Sequence, residues 1–194
     1  TPGAPSDLPS ARPSASPEPP AHHDVVRRLA GWDDYYAECI VVVDKLSEAE
    51  AVHRMGGDGK HIPADSDPGD ADRSVTGVQT LAGHAVLVMD NGWSCNDETV
   101  LKRLTSGGCT AVTAYWNADA YTLLSYAKNG EVLATWDPII DDRQGPRFDL
   151  VKAAVTRVSS DGDEHPYAAM VAVIAGLLRT GGVIADVIEA RDVD

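Results

Sequence analysis

The sequence predicts an α+β domain with a mainly antiparallel sheet of about six strands and with its helices packed on one face. Short apolar or β-branched runs dominate the chain before Asp137-Pro138, and helical patterns follow it. Asn129-Gly130 joins two of the runs as a hairpin. A chain of 194 residues most simply forms one domain, and a domain of that size needs neither a disulfide nor a metal for stability.

The strand predictions rest on the apolar and β-branched runs. The six predicted strands cover residues 37–44, 75–81, 84–90, 110–116, 120–128 and 131–136. The run at 85–89 is apolar at every position, which predicts a strand in the middle of the sheet. Asn129 and Gly130 accept positive φ most easily, so they predict a primed turn between the last two strands.

Capping and stop signals define the predicted helices. Ser47 and Glu50 have the spacing of a capping box, Gly56 ends that helix, and Asn96 or Asp97 caps a second helix that runs to residue 105. Three further helices are predicted at residues 148–158, 166–179 and 183–190. The helix at 166–179 is apolar nearly all round, which predicts burial against the sheet.

Proline sets the domain boundary. Seven of the 12 prolines fall in the first 20 residues, among Ser and Ala and almost without large apolar side chains. Such a segment cannot bury enough surface to offset the entropy of ordering it. The sequence therefore predicts a disordered tail at residues 1–23 and a single α+β domain at residues 24–194.

The charge of the chain limits its partners. With 30 acidic and 16 basic side chains the formal charge is −14, and no cluster of Lys or Arg is present. A nucleic-acid partner is disfavoured because such binding depends on neutralising phosphates, and no run of residues is apolar enough to insert into a membrane. A basic protein is the expected partner.

Cysteine usage bears on the compartment. Cys39, Cys95 and Cys109 are odd in number and lack C-x-x-C spacing, so the sequence predicts neither a disulfide framework nor a metal site. Nothing in the sequence calls for a cofactor. A reducing cytoplasm is the expected compartment, and secretion stays an alternative because Thr1 fits either removal of an initiator Met or cleavage of a signal.

Strand direction brings three tryptophans to one edge of the predicted sheet. A strand–helix–strand crossover makes the strands at 84–90 and 110–116 parallel, and two reversals return the strand at 131–136 to that direction. Each of these strands ends near a Trp and a carboxylate or amide. The candidate binding residues are Asp90, Asn91, Trp93, Trp116, Asn117, Asp119, Trp136 and Asp137.

Two interpretations of this edge stay open. Amphipathic rings beside convergent polar groups are typical of a recognition surface, and Asp90 with Asp137 could form an acid/base pair. Alternatively, Trp seals the rim of a core while Asp and Asn make turns. The signatures of P-loop, dinucleotide, zinc-protease and serine-hydrolase enzymes are all missing, so no catalytic residue is assigned and a non-enzymatic role is favoured.

The central third of the chain resembles a domain of unknown function common in actinobacteria. The similarity lies in YWNADA at 115–120, LSYAKNG at 124–130, WDP at 136–138 and the DNGW turn at 90–93. LSEAE at 46–50 and RMGG at 54–57 resemble its first strand-to-helix segment, so the resemblance covers roughly residues 35–188. It implies an actinobacterial host and a single α+β domain, and it carries over no catalytic residues.

The leading hypothesis is therefore a non-enzymatic protein-binding module, such as an immunity or regulatory partner of a basic effector. One alternative is a small hydrolase or ligand-binding protein that uses the Trp and Asp residues of the edge. Another is a secreted component tethered through its Pro-rich tail. A deep pocket at the edge favours the enzyme or ligand-binding alternative, and a flat acidic surface favours the binding module.

Overall fold

The computed structural model of the chain describes residues 38–57, 76–82, 85–90, 94–117, 119, 121–158 and 166–190. The strands are β1 Glu38–Asp44, β2 Thr76–Leu81, β3 Ala85–Asp90, β4 Thr110–Trp116, β5 Thr122–Lys128, β6 Glu131–Asp137 and β7 Asp142–Gln144. The helices are α1 Glu48–Met55, α2 Glu98–Thr105, α3 Phe148–Val158, α4 Pro166–Arg179 and α5 Ile184–Val187. The predicted tail at 1–23 lies outside the described residues.

The seven strands form one sheet in the order β2-β3-β1-β4-β5-β6-β7, and every neighbouring pair is antiparallel. This confirms the predicted α+β class and the antiparallel sheet. The strand missing from the prediction is β7, which pairs with β6 through Gln144 opposite Thr135. It is three residues long and wholly polar, so it gives no apolar signal in the sequence.

Strand β1 lies at the centre of the sheet. It pairs with β3 on one side and with β4 on the other, although it precedes both in the chain. Residues from Cys39 to Val43 are all at most 1% exposed. Side chains alternate between the two faces of a strand, so this continuous apolar run requires a packed layer on both faces.

Helices cover both faces of the sheet, so the prediction that they pack on one face is wrong. Face 1, which carries Ile40 and Val42 of β1, packs against α3, α4 and α5. Face 2, which carries Val41 and Val43, packs against α1 and α2. Helices α1 and α2 are short, but Ala51 and Leu104 are buried in the face 2 core. The structure is thus a three-layer arrangement of helices, sheet and helices.

The predicted caps of α1 and α2 are confirmed. Ser47 Oγ accepts the backbone N–H of Glu50 at 3.2 Å, and Asp97 Oδ1 accepts that of Thr99 at 2.7 Å. Arg54 of α1 donates to the carbonyl oxygens of Leu104 at 3.2 Å and Ser106 at 2.8 Å. A cation bonded to the last carbonyls of a helix stabilises its C-terminus, so Arg54 ties α1 to the end of α2.

The hairpin of β5 and β6 also forms as predicted. Asn129 has φ of 53° and Gly130 has φ of 79°, as a primed turn requires. The register shifts between Tyr126 and Ala127, which leaves a bulge at Leu133 on β6. The Leu133 carbonyl accepts the backbone N–H of Arg147 at 2.9 Å and so fixes the chain that follows β7. No helix in the described ranges is long and apolar enough to cross a membrane.

Cys39 and Cys95 form a disulfide, which corrects the prediction from the cysteine count that the chain has no disulfide framework. Cys39 lies opposite Asp90 in the β1–β3 register, and the short 3₁₀ turn Ser94–Asn96 brings Cys95 back over β1. Their Cα atoms are 5.8 Å apart, within the range of disulfides. The two residues are 56 positions apart, and only the pairing of β1 with β3 brings them together. Cys109 is free and buried.

We expect this disulfide to be a large part of the stability of the domain. By chain entropy, a cross-link closing a loop with a separation of 56 residues contributes about 4 kcal/mol. Replacement of both Cys39 and Cys95 by Ala should lower the free energy of unfolding by about that amount in urea denaturation, and reduction with dithiothreitol should do the same. Cys109→Ala, the control for loss of a buried sulfur, should cost less. Equal losses for the control and the double variant would contradict this role.

A second long-range link ties the C-terminal segment to β5. The Glu189 carboxylate accepts the Tyr126 hydroxyl at 2.5 Å and the Lys128 ammonium at 2.6 Å. Lys128, followed by the Tyr126 hydroxyl, lowers the pKa of Glu189. Burial, reinforced by the Glu189 carboxylate, raises the pKa of Tyr126. Both interactions therefore depend on Glu189 being ionised.

This link should weaken in acid. The pKa of Glu189 is below its ordinary value of 4.5 in the folded chain, so its contribution is complete above pH 4.5 and is lost as the pH falls through the lowered pKa. Glu189→Gln should be less stable than the native chain at pH 7, and thermal unfolding should show the difference shrinking below pH 4.5. The exposed control Glu131→Gln should show a smaller difference. If Glu189→Gln were less stable than the native chain by the same amount at pH 7 and below pH 4.5, the charged interaction would be ruled out.

Candidate functional site

The predicted strand directions are confirmed for the described residues. Because β1 is antiparallel to both β3 and β4, those two strands run the same way, and β5 returns β6 to that direction. Asp90, Trp116 and Trp136 therefore lie at or near the ends of their strands at one edge of the sheet, called here the Trp edge. Two of the candidate residues, Asn91 and Trp93, fall outside the described residues.

The structure contradicts an acid/base pair of Asp90 and Asp137. Strands β3 and β6 are separated by β1, β4 and β5. At about 4.8 Å per strand, β3 and β6 lie about 19 Å apart, too far for the two carboxylates to meet. Each has a partner of its own: Asp90 accepts the Ser94 hydroxyl at 2.5 Å, and Asp137 accepts the Thr122 hydroxyl at 2.8 Å. They cannot act on the same bond of a substrate.

Asn117 and Asp137 hold turns at this edge. Asn117 Oδ1 accepts the backbone N–H groups of Asp119 at 3.1 Å and Tyr121 at 2.9 Å. Asp137 Oδ1 accepts those of Ile139 at 2.9 Å and Ile140 at 3.4 Å. These two candidates therefore fit the turn-forming alternative, and they fix the shape of the loops on either side of the tryptophans.

Trp116 and Trp136 are half-buried. Both pack against the core of face 1, and the Trp136 indole N–H donates to Asp141 Oδ1 at 3.3 Å. They thus seal the rim of the core, as the rim-packing interpretation requires. Each is also partly exposed, as a recognition surface requires.

Exposed apolar side chains lie at the same edge as these rings, and the ring of Tyr121 packs against that of Tyr115 on face 2, with centroids 5.9 Å apart. Ile140 is 71% exposed, Ile139 37% and Tyr121 38%. Tyr121 follows β4 and the two isoleucines lie in the turn between β6 and β7, so all three belong to the Trp edge. None of the three is among the residues predicted from the sequence, although the Ile-Ile pair directly after Asp137-Pro138 is a visible apolar signal in a turn.

The same edge carries exposed carboxylates on Asp119, Asp141 and Asp142. The Arg143 guanidinium, whose Nε lies 2.6 Å from Asp141 Oδ1, lowers the pKa of that carboxyl. The Trp edge is therefore apolar at its tip and acidic around it.

A cavity of about 220 Å³ lies on face 2, where the start of α2 faces strands β5, β6 and β7. The strand register explains its polar wall: Ser125 lies opposite Thr135, and Thr135 lies opposite Gln144. Side chains in register on neighbouring strands share a face. The walls include Asn96, Leu101, Ser125, Val132, Thr135 and Gln144. No residue of the Trp edge lines it.

Two side chains of this cavity hold polar atoms that are sealed from solvent and lack hydrogen-bond partners in the described part of the chain. They are Oγ of Ser125 and both amide atoms of Asn96. Ser125 is completely buried. Leaving such an atom unpaired costs roughly 1–3 kcal/mol, and native structures contain few of them. Ser125 interrupts an apolar strand in the sequence, but only the structure shows that its hydroxyl has no partner.

A family model described as a family of unknown function, DUF6461, matches residues 23–178. The chain belongs to this family. The DUF6461 region includes all seven strands, helices α1 to α3 and all of α4 except its last residue, so it contains both the Trp edge and the cavity. No curated protein and no solved structure matches the chain.

Two matched serine substitutions test whether the Ser125 hydroxyl is unpaired. Ser125→Ala removes an unsatisfied buried atom, so the free energy of unfolding should stay the same or rise by up to about 1 kcal/mol. Ser94→Ala removes the hydrogen bond to Asp90 and should lower it by about 1–2 kcal/mol. Urea denaturation measures both. A loss in Ser125→Ala as large as that in Ser94→Ala would show that the hydroxyl has a partner.

Proposed function

We propose that this chain is a protein-binding module that docks its Trp edge against a basic protein. The observation that carries the proposal is the exposure of Ile140, at 71%, at the same end of the sheet as exposed Ile139 and Tyr121 and half-buried Trp116 and Trp136. Aromatic and aliphatic anchors gathered at one place are typical of the centre of a protein interface.

The geometry of the turn supports docking with little ordering cost. Asp137 accepts the backbone N–H groups of both isoleucines, and its carboxylate is itself buried and bonded to Thr122. A tip held by such bonds is already in one conformation, so less entropy is lost when a partner covers it.

Charge around the tip supports a basic partner. Asp119, Asp141 and Asp142 are exposed there, and the nearby cation Arg143 is bonded to Asp141. The formal charge of −14 adds a long-range field of the same sign. Such a field raises the rate of encounter with a basic protein and disfavours an acidic one. A regulatory or immunity role toward a basic effector is part of this proposal.

The disulfide bears on where the module acts. Bonds such as Cys39–Cys95 form and persist in oxidising compartments and are rare in the cytosol. We therefore propose secretion, or another oxidising compartment, in place of the reducing cytoplasm expected from the cysteine count.

Two matched substitutions test the docking surface. Proteins captured from the native host by the full chain at low ionic strength are identified, and the affinity of the retained basic protein is measured with the native chain, Ile140→Ser and Val78→Ser. Val78 is 38% exposed on β2, at the other side of the sheet, and is the control for loss of an exposed aliphatic side chain. Ile140→Ser should weaken binding about tenfold or more, as expected when a buried aliphatic contact is lost.

Val78→Ser should bind as the native chain does, and added salt should slow association with all three proteins. Equal affinities for Ile140→Ser and the native chain would overturn the proposed surface. Failure to retain any basic protein at low ionic strength would overturn the proposed partner class.

A further inference from the structure

We infer that the open side of strand β2 pairs with β2 of a second copy of this chain, antiparallel and about a two-fold axis, so that two sheets join into one. Strand β2 is at the end of the strand order, so no described strand lies on its other side. This side runs along a strand, whereas the Trp edge lies at the ends of strands. The inference therefore stands apart from the proposed docking surface.

Glu48 shows which backbone groups of β2 face the open side. Its Oε1 accepts the backbone N–H of Thr80 at 2.8 Å and the Thr80 hydroxyl at 2.7 Å. The Thr80 N–H therefore points away from β3, and the Glu48 carboxylate lies where a carbonyl of a further strand would lie. Alternate residues of an antiparallel strand face the same side, so the N–H and carbonyl of Val78 also face the open side.

Strand β2 lacks the features that protect edge strands. Natural edges carry charged residues, a proline or a bulge, each of which hinders pairing with another chain. The sequence TGVQTL of β2 contains neither a charge nor a proline, and its register with β3 is continuous from Thr76 to Leu81. At the other end of the strand order, β7 carries Asp142 and Arg143. The open side of β2 is thus the edge that can accept a further strand.

The sequence of β2 is complementary to its own copy. When Val78 lies opposite Val78 of the second copy, position 76 of each chain lies opposite position 80 of the other, and both positions are Thr. The backbone groups that face outward then lie opposite one another. The Val78 side chain is 38% exposed and gains an apolar neighbour. Because the same surface is used by both copies, such a contact closes at a dimer.

Local charge permits this pairing. Strand β2 is uncharged, so no like charges lie opposite each other across the two strands. Glu48 lies at the Thr80 end of the strand, and the Thr80 residues of the two copies are four positions apart along the pair. This offset is roughly 13 Å, beyond the screening length of about 8 Å at physiological salt. The two Glu48 carboxylates therefore repel each other little.

Net charge gives the dimer a salt dependence of its own. Each copy has a formal charge of −14, so the copies repel at long range and added salt weakens that repulsion. Salt should therefore favour the dimer. A complex with a basic protein responds to salt in the opposite direction, so the two associations are distinguishable.

Sedimentation of the full, oxidised chain over a range of concentrations tests the pairing. We expect a reversible equilibrium between monomer and dimer that shifts toward the dimer as salt is raised. A chain that stays monomeric at high salt, up to its solubility limit, would overturn the inference. Growth beyond the dimer would contradict the two-fold pairing, because open assemblies require contacts between unlike surfaces.

Two matched Lys substitutions locate the contact. Val78→Lys removes the apolar contact and places like charges opposite each other, so the dissociation constant of the dimer should rise about tenfold or more. Ile140→Lys makes the same chemical change at the Trp edge and should leave that constant unchanged. Equal effects of the two variants would show that β2 is not the contact.

Glu48→Ala should have the opposite effect, which a loss of folding cannot imitate. It frees the Thr80 N–H for the second copy, so the dissociation constant should fall. Glu131→Ala removes the same charge from an exposed site on β6 and should lower it less. A Glu48→Ala dimer no tighter than that of Glu131→Ala would contradict pairing through the Thr80 N–H.

Hydrogen exchange of the native chain tests the pairing without any substitution. The Val78 amide should exchange more slowly as the dimer forms, because it gains an acceptor from the second copy. The Gln79 amide faces β3 in both states, so its exchange should not change. A Val78 amide that exchanges equally fast in monomer and dimer would overturn the inference.

Discussion

The insertion of β1 between β3 and β4 is the constraint on which the rest of the structure depends. Its antiparallel pairing on both sides makes β3 and β4 parallel to each other, which is why their C-terminal ends share an edge. Burial of both of its faces requires helices on both sides of the sheet. Cys39 of β1 also anchors Cys95, the residue directly before Asn96. The Trp edge and the cavity are therefore both positioned by one strand.

Local chemistry made the individual elements predictable. Ser47, Asp97 and the Asn129-Gly130 turn each act within a few residues of themselves, and each lies where its sequence pattern predicts. The errors are all long-range. Neither the position of β1 nor the Cys39–Cys95 bond leaves a signal at short spacing, because each joins segments that are far apart in the chain. The three-residue β7 is defined by its pairing with β6 and not by its own polar sequence.

The candidate site was likewise predictable only in part. The rules for strand direction correctly predicted that Asp90, Trp116 and Trp136 lie at one edge. They do not give the order of the strands across the sheet, so the sequence allowed Asp90 and Asp137 to be neighbours. Whether a polar side chain has a partner is also a property of the whole fold. Asn117 and Asp137 each use an oxygen to accept backbone N–H groups of their turns, while Ser125 is visible in the sequence only as a polar residue in an apolar strand.

The position of β1 has a consequence for the synthesis of the chain. On the ribosome, the segment ECIVVVD emerges before both of its partners, and its second edge stays unpaired until Trp116 has been made. A short β-branched run with open edges is a template for pairing with other nascent chains. Charged residues flank it, with Glu38 at one end and Asp44-Lys45 at the other, and such flanking charges act as gatekeepers against association. The residues that bound the central strand thus protect the chain before any sheet exists.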